Sequence, residues 1–204
     1  YIQMNKIKWG CVVIIIVGFI IKLLPFDYEY ADYQGALSVW VEHIKANGYL
    51  WSLKDDFYVY TPAYMYLLTL IAKLNVDSLY AIKLVSIVFD YIAAFFIGNI
   101  AFMACKKDIV KWLSFAIIPL VPTVILNSSF MAQCDAIYAC FAIGSVYFLL
   151  KRRYFPSMIF LGLAIALKAQ AIMILPFFFV YMLRGGIRWY YFLIVPLVYI
   201  VSIL

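Results

Sequence analysis

Two aspartates, one lysine and two side-chain amides are the residues of this sequence best placed to do chemistry. Asp32 follows the tract Asp27-Tyr28-Glu29-Tyr30-Ala31, in which acids and tyrosines alternate. A carboxylate there can take a proton from a hydroxyl as a general base, or bind a cation. Its structural alternative is to cap a helix, because Asp at a helix start satisfies free backbone N–H groups and suits the dipole. Asp135 opens an apolar segment two residues after Gln133. Carrying an ionisable group into hydrocarbon costs about 2.5–3.5 kcal/mol, so this acid is also either a cap or a functional group. Two acids from separate segments point to one shared site. Lys168 lies in the apolar run Leu161-Gly162-Leu163-Ala164-Ile165-Ala166-Leu167-Lys168-Ala169-Gln170-Ala171, with no acid nearby in sequence. It either snorkels to the membrane surface or marks an anion site at a helix break, where it would neutralise a phosphate. Asp90 sits near the middle of another apolar run. It calls for a structural partner, and Lys83, two turns away, is too far for a tight pair. His43, the one histidine, falls on the polar side of an amphipathic segment.

The elements that must position these residues are membrane elements. The chain is 68% hydrophobic and 20% aromatic, with a mean hydropathy of +1.01. Soluble domains are roughly half apolar, so the composition predicts an all-α polytopic membrane protein. Ten of the sixteen basic residues form four clusters between apolar stretches: Lys6/Lys8, Lys106/Lys107/Lys111, Lys151/Arg152/Arg153 and Arg184/Arg188. Six of the ten acids fall in residues 27–56. Positive loops stay on the cytoplasmic side, so the N-terminus is expected inside and the acid-rich loop outside. The net charge of +6 is therefore a topology signal, and no nucleic-acid partner is expected. The four cysteines have neither metal-ligand nor disulfide spacing and are expected to be free thiols. No HExxH, P-loop, GxGxxG or GxSxG motif is present.

A helical span needs roughly 20 apolar residues. Residues 9–24 qualify if Lys22 snorkels outward. Residues 79–105 cross with tilt. Residues 111–126 are kinked by Pro119 and Pro122, and residues 131–150 end at a basic cluster. Residues 158–183 are too long for one crossing, and both flanks are basic. They are expected to be two short helices that break near Lys168-Ala169-Gln170. Residues 190–204 begin a last span, and its lack of a closing charge suggests a truncated chain, with residues 1–204 as a single membrane domain. Residues 62–74 are apolar but reach only about 20 Å at 1.5 Å per residue. Crossing would also put Lys106 and Lys107 outside, so this segment is expected to be re-entrant or membrane-lying. Thr61-Pro62 starts it, while Asn75 and Asp77-Ser78 mark its end. The outer loop, about residues 25–78, also holds an amphipathic helix over residues 32–47. Its apolar face is Leu37, Trp40, Val41 and Ile44, and Asn47-Gly48 stops it. The total is about seven transmembrane helices, with interfacial or re-entrant helices in the first outer loop.

Four motifs in this order resemble the N-terminal module of the GT-C superfamily of polytopic glycosyltransferases, in particular its GPI-mannosyltransferase-like branch. An acidic loop directly after the first span carries Asp32. Tyr60-Thr61-Pro62-Ala63 is similar to a Tyr-Pro-Pro-Leu signature, with Thr and Ala at two of the four positions. Gln133-Cys134-Asp135 is similar to a Gln-x-Asp element, with Ala132 where a Gly often stands. The stretch from Gly162 to Lys168 and Gln170 is similar to a Gly-Leu-Ala-x-x-x-Lys-x-Gln helix break. The resemblance implies sugar transfer from a polyprenyl-phosphate donor to a glycan or lipid-linked acceptor hydroxyl. Asp32 would be the catalytic base. Tyr60, Gln133, Asp135, Lys168 and Gln170 would bind substrate, and Lys168 would stabilise the leaving phosphate. No cofactor is required, and a divalent metal shared by Asp32 and Asp135 is the alternative. The implied location is integral to the bacterial cytoplasmic membrane or the endoplasmic reticulum. A lipid-linked sugar transporter or flippase is the rival reading, and a catalytically inactive module is the third.

Overall fold

The structure is a computed structural model that describes residues 2–74 and 76–203, with side chains from residue 7 onward. Asn75 and the Lys6 side chain, used above as stop and topology signals, lie outside the described residues. The regular elements of the described residues are all helical, without strands, and the chain forms two compact units.

The first unit comprises Tyr1–Ser38 and Asp77–Ala136. Its helices are α1 (Ile2–Leu23), α4 (Ser78–Cys105), α5 (Asp108–Ile117) and the short α6 (Pro122–Ile125), followed by a π-helical turn, Leu126–Phe130. Asp77 caps α4, its side chain accepting from the Leu79 N–H at 2.8 Å. α5 packs against both α1 and α4. Gly98 permits the second contact, because a Cβ there would lie 2.7 Å from the Lys111 carbonyl oxygen. The prolines act as expected: Pro119 and Pro122 divide the segment, and its two parts are bent by 53°.

At 28 residues, α4 is long and apolar enough to cross a membrane, and the bent pair would make a second crossing. The remaining apolar helices are shorter. The expected count of about seven spans therefore goes further than element length alone. An exposed apolar stripe runs along α4 through Leu84, Val88, Ile92 and Phe95, at helical spacing. On α1, Val13, Ile16, Val17 and Ile20 are likewise exposed.

Two lysines are buried in this unit in ways the sequence did not reveal. Lys22 does not snorkel. It is fully buried, and its Nζ donates to Asp90 Oδ2 at 2.7 Å, to Ser128 Oγ at 3.0 Å and to the Val124 carbonyl at 3.5 Å. The carboxylate already lies inside the bundle, so a 2.7 Å ion pair replaces the water that outward snorkelling would have reached. Asp90 thus has the structural partner it called for. Lys83, also fully buried, donates instead to the carbonyls of Pro25, Phe26 and Tyr28 at 2.7, 2.9 and 2.7 Å.

The second unit comprises Val39–Val76 and Ile137–Leu204. Its helices are α2 (Ser38–Ala46), α3 (Pro62–Lys73), α7 (Asp135–Leu150), α8 (Tyr154–Leu167), α9 (Leu175–Leu183) and α10 (Ile194–Val201); α2 and α7 begin at the boundary between the units. The amphipathic face is as expected: Leu37, Trp40, Val41 and Ile44 are all buried. Gly48, at φ 81°, stops α2 in the left-handed conformation that glycine tolerates best. α3 is 12 residues long, about 18 Å, and packs on α8. The core gathers Leu149, Met158, Leu161, Ala164, Phe178 and Val195. Gly162 lets α10 approach α8, since a Cβ there would meet Val198 Cβ at 2.7 Å. The expected break in residues 158–183 is present: α8 ends at Leu167, Lys168 is extended (φ −152°, ψ 120°), and a 3-10 stretch, Ala169–Ile174, leads into α9.

None of the four cysteines is in a disulfide; Cys11, Cys134 and Cys140 are buried and Cys105 is exposed. His43 lies on the partly exposed side of α2, with Nε2 2.9 Å from Asp55 Oδ2.

Candidate functional site

The six candidate residues fall into two clusters, one in each unit. The first is built around Asp32. It lies in helical backbone (φ −67°, ψ −32°), and its side chain makes no capping bond, so the capping alternative is not realised. The turn that begins here supplies its own backbone bonds: the N–H groups of Tyr33 and Gln34 both donate to the Tyr30 carbonyl. The exposed carboxylate accepts instead from Gln133 Nε2 at 2.6 Å. That bond joins positions 101 residues apart in the chain.

α4 fixes both partners of this bond. At its start, Ser78 Oγ lies 2.8 Å from the hydroxyl of Tyr33, the residue that follows Asp32. Further along, Lys83 fastens the carbonyls of residues 25, 26 and 28. One turn beyond Lys83, Ser86 Oγ donates to the Gln133 carbonyl at 2.9 Å. Tyr28 also stacks on Phe130, with centroids 4.1 Å apart, which joins the two segments a second time. Ala132, just before Gln133, has φ 55°, a left-handed conformation that favours glycine.

Asp135 opens α7 and is half-buried. It accepts from Asn127 Nδ2 at 3.0 Å, and the same amide lies 3.3 Å from Gln133 Oε1. The two carboxylates are therefore linked through two amides in the order Asp32, Gln133, Asn127, Asp135. Sequence reasoning missed Asn127. Its signal was the polar break Asn127-Ser128-Ser129 six residues ahead of Gln133. Asn127 Oδ1 is buried and has no donor among the described residues. Amide N–H groups point at both acids, an arrangement suited to orienting hydroxyls. Among the described residues no group of three or more His, Cys, Asp or Glu could hold a metal ion.

The second cluster forms at the break after α8. Thr61 precedes Pro62 at the start of α3, but its hydroxyl donates to the Leu167 carbonyl at 2.9 Å rather than capping its own helix. This bond ties the Tyr60-Thr61 segment to the backbone just before Lys168. Lys168 Nζ lies 5.5 Å from the Tyr60 ring centroid and 5.6 Å from that of Tyr138, within cation–π range of both. Trp40 and Tyr64 in turn pack on Tyr60, with centroids at 5.3 and 5.5 Å. A cavity of about 160 Å³ is lined by Val59, Tyr60, Thr61, Leu167, Lys168, Ala169 and Gln170. Gln170 is exposed on the 3-10 stretch. An ammonium held by aromatic faces beside an amide is chemistry suited to an anion.

No family model matches the chain. No curated protein and no solved structure matches it either. The fold and site define a class only coarsely: an all-helical chain with a helix apolar enough to span a membrane, carrying a carboxylate–amide cluster and a lysine–aromatic cluster.

Proposed function

We propose that this chain is the membrane module of a GT-C-type glycosyltransferase, moving a sugar from a polyprenyl-phosphate donor to an acceptor hydroxyl on the extracytoplasmic face. The observation that carries the reading is the 2.6 Å bond from Gln133 Nε2 to Asp32 Oδ2. It couples the loop after the first helix to the Gln-x-Asp element, two of the motifs on which the resemblance rests. In this reading Gln133 holds one carboxylate oxygen, and Oδ1 takes the proton of the acceptor hydroxyl as general base. The hydroxyl oxygen attacks the sugar C1, and polyprenyl phosphate leaves. Asp135, Asn127 and Gln133 orient sugar or acceptor hydroxyls. Tyr60, Lys168 and Gln170 form a second group within the other unit, where an ammonium beside an amide is suited to a lipid-linked phosphate.

The membrane setting is supported by the uncovered apolar stripes of α1 and α4. Contiguous apolar surface of that kind marks lipid or partner contact. The full scheme of about seven spans, with the N-terminus cytoplasmic, belongs to this proposal. The test is transfer from polyprenyl-phosphate-linked sugars in reconstituted membranes, read as release of polyprenyl phosphate. Release that requires both acceptor and Asp32 supports the reading. Movement of the intact lipid-linked sugar across the bilayer, without release, would favour a transporter instead.

A further inference from the structure

From Ala136 to the end of the sequence the chain carries six basic residues and no acid. Five of the six are Lys151, Arg152, Arg153, Arg184 and Arg188. They belong to two turns of the second unit, one between α7 and α8 and one after α9. The rings of Tyr154 and Tyr191, 5.5 Å apart, bring these turns together. Between them lies a cavity of about 340 Å³, lined by Tyr154, Gly185, Gly186, Ile187, Arg188, Tyr190 and Tyr191. A single water needs about 10–15 Å³ of such space, so the cavity admits a much larger group.

The lining combines groups whose chemistry suits a tetrahedral anion. Arg188 supplies the guanidinium, whose Nη1 donates to the Tyr190 hydroxyl at 3.2 Å. Guanidinium N–H groups match phosphate geometry, and the phenols of the lining add further donors. The two glycines shape the wall. Gly185 has φ 74° with open space around its missing Cβ, and a Cβ on Gly186 would strike the Tyr181 ring. Basic loops are common at the cytoplasmic ends of helices, but a loop that only signals topology needs no cavity and no phenols. α8 is 14 residues long, about 21 Å, and it separates this cavity from the Thr61–Leu167 bond at its far end. The cavity is thus distinct from the lysine–aromatic cluster.

We infer that this cavity binds the phosphate of an anionic lipid headgroup. Only the membrane setting is shared with the proposed transfer reaction, and the test does not use transfer activity. Native mass spectrometry of the chain in neutral detergent would compare phosphatidylglycerol with phosphatidylcholine. Both lipids carry a phosphodiester, but the choline ammonium of phosphatidylcholine offsets its charge and is repelled by the basic turns, so preferential retention of phosphatidylglycerol is expected. Arg188→Ala should weaken it about tenfold, and Arg188→Lys should weaken it less. Arg152→Ala, an exposed charge outside the lining, should change it by less than about twofold. Excess inorganic phosphate should reduce retention, because the phosphate is the recognised group; retention untouched by it would overturn that assignment. Equal retention of both lipids, or equal loss in Arg188→Ala and Arg152→Ala, would overturn the inference as a whole.

Discussion

Replacing Lys22 with Met should destabilise the first unit more than any single surface change. At 2.7 Å from Asp90 and an effective dielectric of about 20, the gross attraction is about 6 kcal/mol. Desolvating two ions consumes most of that, so the pair contributes little net stability. Breaking it is different, because Lys22→Met leaves the Asp90 carboxylate buried without its cation. The expected loss is about 3–5 kcal/mol. The double variant Lys22→Met/Asp90→Leu removes both charges and should return to within about 1 kcal/mol of the parent. Equilibrium unfolding in detergent, followed by helical circular dichroism, gives the coupling energy from the four proteins of the cycle. An unchanged midpoint for Lys22→Met would refute the reasoning and restore the snorkelling lysine.

Lys83→Met leaves three carbonyls of residues 25–28 without their donor, and stability should fall by about 1–3 kcal/mol; hydrogen exchange should quicken between residues 25 and 33. Gly98→Ala places a methyl 2.7 Å from the Lys111 carbonyl oxygen, so α4 and α5 must separate, at a cost of about 1–3 kcal/mol in the same unfolding assay. In a Cys105→Ser background, Lys107→Cys should react with a membrane-impermeant thiol reagent from the cytoplasmic side only. Reaction from outside would mean that residues 62–74 cross the membrane.

Periodicity and punctuation made most helices legible. Leu37, Trp40, Val41 and Ile44 marked a face that is buried, Pro119 and Pro122 marked a bend, and the length of residues 158–183 required a break at Lys168. Side-chain partners were harder to read, because they depend on which helices pack together. Lys22 and Asp90 are 68 residues apart, and neither announces the other. Asp32 was legible as a functional candidate, but its partner Gln133 lies 101 residues away. Asn127 was overlooked because an amide in a polar break looks like a loop residue until acids are placed near it. Thr61 resembled a helix cap, yet the Leu167 carbonyl at the broken end of α8 was the stronger demand.

The most direct measurement is single-turnover transfer by Asp32→Asn in reconstituted membranes. Asparagine keeps the size of the side chain and can still accept from Gln133 Nε2, so proton abstraction is the property that changes. General-base catalysis is worth about 10²–10⁴-fold. The account predicts a fall in the transfer rate of at least about 100-fold, with donor binding retained. A rate within about twofold of the parent would contradict it.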